Sequence, residues 1–161
     1  MARGNAINGV DLLTGAEVFA AQPMIADLCT RVFDSFDPDY LPERLRYVVD
    51  PVLHIIRSDD GETQGFKLGY RRGPRLLYSW LGGVVPAARG QGLAAQLMQA
   101  QHGWAARQGY SHVETRTRAA NSRMIIVNLK AGFRIVGMET DESGHPVVIL
   151  RRDLNEKPDR A

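Results

Sequence analysis

Residues 84–94 connect an apolar segment to the start of a helix, and they read Val84-Val85-Pro86-Ala87-Ala88-Arg89-Gly90-Gln91-Gly92-Leu93-Ala94. The apolar segment that begins at Leu76 predicts a strand that stops at Pro86. A spacing of three or four residues between apolar side chains then predicts a long helix that ends at Gly109, with its stripe at Leu93, Leu97, Ala100 and Trp104. The start of such a helix offers unpaired backbone N–H groups and the positive end of the helix dipole. Because Gly90 and Gly92 leave room for a bulky anion, this turn predicts a pyrophosphate site.

One reading of this turn is a dinucleotide site. Gly90-x-Gly92-x-x-Ala95 satisfies a loose dinucleotide-binding pattern, and Glu114 lies roughly twenty residues further on, where that pattern has an acidic ribose ligand. However, residues Pro86–Arg89 separate the predicted strand from the first glycine, whereas the dinucleotide fold has its glycine directly after the strand. The upstream segments also predict hairpins rather than crossover units. We therefore favour a different pyrophosphate ligand.

Two motifs resemble those of the GNAT acetyltransferase superfamily. The first, Arg89-Gly90-Gln91-Gly92-Leu93-Ala94, is similar to its acetyl-CoA-binding motif, Arg/Gln-x-x-Gly-x-Gly/Ala. The second follows in the expected order and reads Asn121-x-x-Met124-x-x-x-Asn128-x-Lys130-x-Gly132-Phe133. The resemblance implies an N-acetyltransferase without a metal, which moves acetyl from its cosubstrate acetyl-CoA to a primary amine by direct attack in a ternary complex.

The predicted order of elements agrees with the fold of that superfamily. This is an α/β fold with a mixed, mostly antiparallel sheet that splays around CoA and has helices on both faces. Upstream, the pattern predicts a strand in residues 7–13, a helix from a Thr14–Glu17 capping box to about Ser35 that Pro23 interrupts or restarts, and a short helix from Pro42 through Val49. The other predicted elements are strands at Val52–Arg57, Gln64–Arg71, His112–Thr117, Arg134–Glu139 and Val147–Arg151 and a helix at Asn121–Ala131. Residues 1–154 are predicted to form one domain, followed by a loose tail at 155–161.

The composition narrows the class of protein. The chain has 161 residues, of which 44% are hydrophobic and 24% are charged, and its formal charge is +2. This charge is too small to predict nucleic-acid binding. No apolar run approaches the ~20 residues of a membrane span, and no signal peptide is evident, so we expect a cytoplasmic protein. The single cysteine, Cys29, excludes an internal disulfide and predicts a packed thiol. The sequence is also compatible with a homodimer.

The resemblance also implies which residues hold acetyl-CoA. Backbone N–H groups from Arg89 to Ala94, which include those of Gly90, Gly92 and Leu93, would grip the pyrophosphate, and Gln91 would add a side-chain donor. Backbone groups at Val84 and Val85 would pair with the pantetheine as a short strand does. Asn121 and Asn128 of the second motif would face the same ligand.

Three residues are candidates for proton transfer. An amine of pKa 10.4 must lose a proton before it attacks, which costs roughly 4.6 kcal/mol at neutral pH. Glu114 is the first candidate for the base, Tyr78 the second, as a relay through water, and His112 the third. Glu114 could instead form a salt bridge with Arg116 or Arg118. Tyr78 is expected to share one strand face with Trp80 and Gly82.

The resemblance assigns the oxyanion to a backbone N–H at Gly82, a donor worth roughly 3 kcal/mol at comparable sites. Gly82 and Gly83 together would also loosen the strand, as a bulge does. Many members of the superfamily have a tyrosine at the position of Asn128, and its hydroxyl reprotonates the CoA thiolate. An amide can donate a hydrogen bond to sulfur but cannot titrate near neutral pH, so a general acid of that type is in doubt here. Asn128 could also be a helix-surface residue.

The acceptor is expected between the first two helices. The stretch there reads Asp34-Ser35-Phe36-Asp37-Pro38-Asp39-Tyr40-Leu41-Pro42-Glu43. Asp37 and Asp39 would attract a cation and Phe36 and Tyr40, with Trp80, would hold its apolar stem, which predicts a small cationic amine. These acids could also merely cap helix ends. A protein or peptide amine, a longer acyl-CoA and a binding domain without catalysis are the alternatives.

Overall fold

The computed structural model describes residues 9–156. Its helices and strands are β1 (Val10–Thr14), α1 (Ala16–Ala20), α2 (Gln22–Val32), α3 (Tyr40–Leu45), β2 (Val49–Arg57), β3 (Thr63–Gly73), β4 (Leu76–Val84), α4 (Leu93–Arg107), β5 (His112–Arg118), α5 (Ser122–Lys130), β6 (Arg134–Thr140) and β7 (Pro146–Asp153). A short 3-10 turn, Pro86–Ala88, lies between β4 and α4. Residues 7 and 8 of the predicted first strand and residues 157–161 of the predicted tail lie outside the described residues. No helix within 9–156 is long and apolar enough to cross a membrane.

The seven strands form one sheet in the order β1-β2-β3-β4-β5-β7-β6. All neighbours pair antiparallel except β4 and β5, which are parallel. This arrangement confirms the predicted mixed, mostly antiparallel sheet. Helices cover both faces, as expected from the alternation of side chains along each strand.

The two central strands separate soon after they meet. β4 and β5 pair only at Leu76–His112, Leu77–Val113 and Tyr78–Glu114. Beyond these pairs a gap opens between residues 79–84 of β4 and residues 115–118 of β5. The Thr115 hydroxyl donates to the Ser79 carbonyl at 3.2 Å and closes the narrow end of this gap. The sheet is therefore splayed at its centre, as the fold prediction requires.

Each face of the sheet has its own core. On the α2 face, Phe66 and Leu68 pack with Ile25 and Leu28. Cys29 belongs to this core, and burial raises the pKa of its thiol to about 12, so the packed-thiol prediction is confirmed. On the opposite face, which we call the α4 face, α4 lies directly on glycines of β3. Ideal Cβ atoms at Gly65 and Gly69 would lie 3.1 Å from Leu97 Cδ1 and 3.0 Å from Gln101 Nε2.

The bulge in β4 lies at Trp80 and not at Gly82-Gly83. Gly69 pairs with Ser79 whereas its neighbour Leu68 pairs with Leu81, which leaves Trp80 as the extra residue. Gly82 and Gly83 pair in regular register with Lys67 and Phe66. Gly83 serves packing instead, because a Cβ there would collide with Val32 of α2.

This bulge also corrects the predicted strand face. Tyr78 pairs with Tyr70, and Gly82 pairs with Lys67. Positions 67 and 70 are an odd number of residues apart on β3, so Tyr78 and Gly82 face opposite sides of the sheet. The prediction that they share a face is wrong because the extra residue between them reverses the alternation.

The first helices differ from prediction at their ends. α1 begins after Gly15, and only half of the capping box forms, with the Thr14 N–H donating to Glu17 Oε1 at 3.4 Å. The restart near Pro23 is confirmed, since Pro23 lies in the first turn of α2. α2 stops at Val32. α3 ends at Leu45, because Val49 already pairs with Arg71 as the start of β2.

Two buried histidines make stability depend on pH. His54 and His102 lie on the α4 face and are each 3% exposed. Burial, helped by the neighbouring Lys67, lowers the pKa of His54 to about 4 and that of His102 to about 3. In the unfolded chain both imidazoles take up protons below their ordinary pKa of 6.5, which the folded chain resists.

We therefore expect the free energy of unfolding to fall as the pH is lowered from 6.5, by about 2 kcal/mol for each imidazole by about pH 5. Urea denaturation at several pH values measures it. His54→Phe, which keeps an aromatic ring against Trp104, should lose about half of this dependence, and His145→Gln at an exposed site should lose none. Equal stabilities of the wild type at neutral pH and at about pH 5 would contradict the assignment.

Candidate functional site

The start of α4 presents free backbone amides. Gly90 and Gly92 have left-handed φ angles of +81° and +77°, and Gly92 is the N-cap of α4. No side chain caps this terminus, and its first helical bond runs from the Gln96 N–H to the Gly92 carbonyl at 3.2 Å. The N–H groups of Leu93 and Ala94 therefore point out of the helix end. A Cβ at either glycine would meet no atom within 4 Å, so the space before these amides is open.

Arg89 does not contribute its backbone N–H to this set. That N–H donates to the Pro86 carbonyl at 3.3 Å inside the 3-10 turn. The Arg89 side chain turns back instead, with Nε donating to the Val84 carbonyl at 3.1 Å and Nη2 to the Val32 carbonyl at 3.2 Å. The predicted run of amides from Arg89 to Ala94 must therefore begin after Arg89, whose guanidinium ties the end of β4 to the end of α2.

The free edge of β4 directs amides into the gap. The Val85 N–H donates to the Gln64 carbonyl on the β3 side at 2.9 Å. Successive peptide groups of an extended strand point in opposite directions, so the N–H groups of Val84 and Gly82 point away from β3. On the side away from β3, residues 79–84 of β4 have no strand partner. Both N–H groups thus face the gap, although the Val84 carbonyl is already engaged by Arg89.

The second motif lies across the gap, on α5. Asn121 is the N-cap of α5, and its Oδ1 accepts the Met124 N–H at 3.2 Å. Asn128 is only 3% exposed, so the helix-surface alternative for it is wrong. Its Nδ2 donates to the Thr117 hydroxyl of β5 at 3.4 Å. Asn128 is thereby fixed beside the part of β5 that has left β4.

Glu114 lies on the α2 face, between two arginines. Its side chain is buried, and Oε1 accepts from Arg151 Nη2 at 3.0 Å. Arg72 Nη1 lies 3.6 Å from Oε2. The predicted salt bridge is thus present, but its partners are Arg151 and Arg72 rather than Arg116 or Arg118.

The other two proton-transfer candidates are placed differently. Burial raises the pKa of Tyr78 to about 12, so its hydroxyl stays protonated at neutral pH. Tyr78 pairs directly with Glu114, which brings the two together on the α2 face. His112 pairs with Leu76 at the closed end of the β4–β5 contact, and its Nδ1 lies 2.8 Å from the Ser111 hydroxyl. His112 is therefore separated from the gap.

A continuous aromatic surface crosses the α2 face beside the gap. The centroid separations are 6.1 Å for Phe36–Tyr40, 6.0 Å for Tyr40–Trp80, 5.6 Å for Trp80–Tyr70 and 5.3 Å for Tyr70–Tyr78. Trp80 Nε1 also donates to the Tyr40 hydroxyl at 3.2 Å. The structure thus brings together the predicted residues Phe36, Tyr40 and Trp80 and adds Tyr70, which sequence reasoning missed.

The charges around this aromatic surface are mixed. Asp37 and Asp39 are exposed, and Asp37 Oδ1 accepts the Asp39 N–H at 2.9 Å. Arg72 lies 4.7 Å and Arg116 6.0 Å from the Tyr78 ring centroid. Arg44 lies 5.2 Å from the Tyr40 centroid. Glu114 and Arg116 are two residues apart on β5, and this spacing was the sequence signal that their side chains lie on one face of the sheet.

Two of these arginines form salt bridges with glutamates. Arg116 pairs with Glu139 of β6 at 3.1 Å, and Arg44 of α3 pairs with Glu142 of the β6–β7 turn at 3.4 Å. The second pair links the two elements that border the aromatic surface. Within residues 9–156 no group of His, Cys, Asp and Glu side chains is arranged to hold a metal ion.

Comparisons with known proteins agree with this geometry. The family model "Acetyltransferase (GNAT) family" matches residues 23–133. The fold is similar to the ribosomal-protein-S18-alanine N-acetyltransferase from Escherichia coli, with a TM-score of 0.71, 12% identity and coverage of 93% of this chain and 98% of that one. No curated protein matches this chain in sequence.

Two further structures show how widely acceptors vary on this fold. The spermidine/spermine N-acetyltransferase SpeG from Vibrio cholerae has a TM-score of 0.68, 11% identity and coverage of 91% of this chain and 93% of that one. A nourseothricin acetyltransferase has a TM-score of 0.56 and 22% identity, and the match spans 65% of each chain. A protein, a polyamine and an antibiotic are thus named for relatives of one fold, so the fold by itself does not identify the acceptor.

Proposed function

Because this chain belongs to the GNAT family of acetyltransferases, we propose that it transfers acetyl from acetyl-CoA to a primary amine by direct attack in a ternary complex. The observation that carries this proposal is the open, uncapped start of α4 beside a strand edge whose N–H groups face a gap. The N–H groups of Gly92, Leu93 and Ala94 suit a pyrophosphate. Gly90 and Gln91 border the same space, and Gln91 has a side-chain donor to add.

The gap supports the placement of the remainder of the cosubstrate. The Val84 N–H is available to pair with pantetheine, and the Gly82 N–H, further along the same edge, is available to the thioester oxygen. A backbone donor at that position stabilises the charge that develops when the amine attacks. Asn121 and Asn128 border the gap from α5, and Asn128 can donate a hydrogen bond to sulfur.

Glu114 is the proposed acceptor of the amine proton, with Tyr78 as a relay. Both lie on the α2 face, on the same side as the aromatic surface, so an amine held there can reach the thioester through the gap. The Oε2 atom of Glu114 is 3.6 Å from Arg72, which leaves it able to receive a proton from water. Tyr78 pairs with Glu114 and has a protonated hydroxyl to pass the proton along.

We propose a small cationic amine as the acceptor. Asp37 and Asp39 supply exposed negative charge beside the aromatic surface, whose rings suit an apolar stem. The Arg44–Glu142 pair links α3 to the β6–β7 turn and narrows access, which favours a small molecule over a folded protein. A peptide amine remains the alternative acceptor. A binding domain without catalysis is the second candidate function, since Asn128 replaces a residue that titrates.

Acetyl-CoA binding is tested by Gly92→Val. The branched side chain would enter the open space before the α4 amides, so we expect the calorimetric affinity for acetyl-CoA to fall well over tenfold. Gly144→Val is the matched control, because Gly144 also has a left-handed φ, of +82°, and no atom within 4 Å of its Cβ position. Both variants carry similar backbone strain, and only the first should lose affinity. An equal affinity in the two variants would refute the assignment of the pyrophosphate site to the start of α4.

The role of Glu114 is tested by Glu114→Gln. We expect turnover to fall and the acidic limb of the pH–rate profile to disappear, while acetyl-CoA affinity is unchanged. Glu139→Gln, which also releases an arginine on the same face, should keep the acidic limb. A profile in Glu114→Gln that matches the wild type would transfer the role to ordered water near Tyr78. Absence of acetyl transfer to a panel of amines by the wild type would favour the binding domain.

The acceptor class is tested by the double change Asp37→Asn with Asp39→Asn. We expect a higher KM for a cationic amine, with a larger effect at low salt, and an unchanged KM for acetyl-CoA. Asp59→Asn with Asp60→Asn removes the same charge from the β2–β3 turn and should leave the amine KM unchanged. If only peptides are acetylated, or if the amine KM does not respond, the small cationic acceptor is wrong.

A further inference from the structure

A group of polar side chains, all buried except the partly buried Lys67, lies between the sheet and the middle of α4. We call it the α4 polar cluster, and it consists of His54, Lys67, Gln101 and His102. Gln101 is fully buried, and neither its Oε1 nor its Nε2 has a hydrogen-bond partner among the described residues. His102 Nε2 and His54 Nδ1 are likewise without partners there. Buried polar atoms are normally paired, so this concentration of unused donors and acceptors calls for a functional explanation.

Lys67 connects this cluster to the edge of the gap. It pairs in register with Gly82, and its Cγ lies 3.3 Å from the position that a Gly82 Cβ would occupy. The lysine stem therefore lies over the one residue of this edge that both lacks a side chain and directs its N–H into the gap. Gly82 gives Lys67 an unobstructed path over β4 on the α4 face.

Among residues 9–156 the ammonium group of Lys67 has no carboxylate as an ion-pair partner. Within residues 9–156 no carboxylate lies within ion-pair distance of it, since none of the salt bridges of this part of the chain involves Lys67. The charged and titratable groups that face the cluster are His54 from β2, His102 and Arg107 from α4 and Arg152 from β7. All four are neutral or positive at neutral pH.

The choice of lysine at this position is itself informative. The chain has three lysines and seventeen arginines, so a cation of this protein is usually an arginine. An arginine cannot give up its proton in a protein, whereas a buried lysine can. Burial lowers the pKa of Lys67 to about 8, which leaves the ammonium mostly protonated at neutral pH and able to release its proton.

We propose that Lys67 faces the sulfur of bound CoA and donates the proton that the departing thiolate requires. This inference rests on the proposed function. As the C–S bond breaks and the amide C–N bond forms, the thiolate takes a proton from Lys67 Nζ and leaves a neutral amine. The proton that the acceptor nitrogen loses passes to Glu114 and from there to solvent, and solvent reprotonates Lys67. Lys67 thereby supplies the acid that Asn128 cannot supply.

The pKa values of the two groups are matched. The ordinary pKa of a cysteine thiol is about 8.5, which is not below that of Lys67, so the ordinary acidities of the two groups do not oppose proton transfer to a thiolate. An acidic partner would hold the proton on Lys67 and oppose the transfer. Because the cluster contains no carboxylate, Lys67 remains able to release its proton.

The test is the titration of the thiol of bound CoA, followed by the ultraviolet absorbance of the thiolate. A nearby ammonium favours the thiolate, so in the wild type we expect a thiol pKa below that of free CoA. Lys67→Met should raise the thiol pKa, with at least a tenfold fall in the acid dissociation constant, and Lys130→Met, which removes an exposed lysine from α5, should leave the thiol pKa unchanged. Lys67→Arg should keep the lowered thiol pKa but turn over more slowly, because it has the charge without a transferable proton.

Each outcome separates the two hypotheses. If the wild type does not bind CoA, the proposed function fails. If it binds CoA but the bound thiol titrates equally in the wild type and Lys67→Met, the role of Lys67 is overturned. Removing an unpaired buried charge should not destabilise the fold, so thermal unfolding of Lys67→Met should match the wild type. Lys67→Gln provides a second neutral variant for the same titration if Lys67→Met does not fold.

Discussion

The separation of β4 from β5 is the constraint on which the site depends. Two parallel strands that stay paired leave no free edge in the middle of a sheet. Here the pairing ends at Tyr78 and Glu114, and the next residues of β4 keep their outward N–H groups unpaired by a strand. Burying such an edge without partners would be unfavourable, so the molecule keeps it where a bound chain can complete it. The open start of α4, at Gly92, follows eight residues after Val84, the last residue of the same strand.

The turn and the two motifs were predictable because they are local. The left-handed glycines at 90 and 92 and the proline at 86 are determined by residues close in sequence, and the structure has them where the pattern indicates. Of the predicted stripe of α4 only Leu97 is buried, because the buried face also takes in Met98, Gln101, His102 and Ala105. The bulge at Trp80 was not predictable, because it is defined only by the register of β4 against β3. The same holds for Gly83, whose neighbour Val32 is some fifty positions away and approaches only after α2 packs on the sheet.

The charged residues were the hardest to interpret from sequence. Arg151 and Glu114 meet because β7 inserts beside β5, an order that neighbouring elements in the chain do not reveal. Lys67 appears in sequence as one polar residue in a half-buried strand. Its significance depends on Gly82, on α4 and on the lack of a carboxylate within ion-pair distance of it among residues 9–156, all of which are properties of the packed molecule. As a result, guanidinium–carboxylate pairs border the α2 face, and unpaired or neutral polar groups occupy the α4 face.

The guanidinium of Arg89 has a mechanical consequence. It holds the carbonyl of Val84 and the carbonyl of Val32 at once, so the strand end that leads into the phosphate turn and the helix end that leads into the acidic acceptor loop share one anchor. Any displacement of the turn is transmitted to residues 33–39 through two hydrogen bonds rather than through a length of flexible chain. Substrates bound as proposed would then lie in two regions that share this one fixed point.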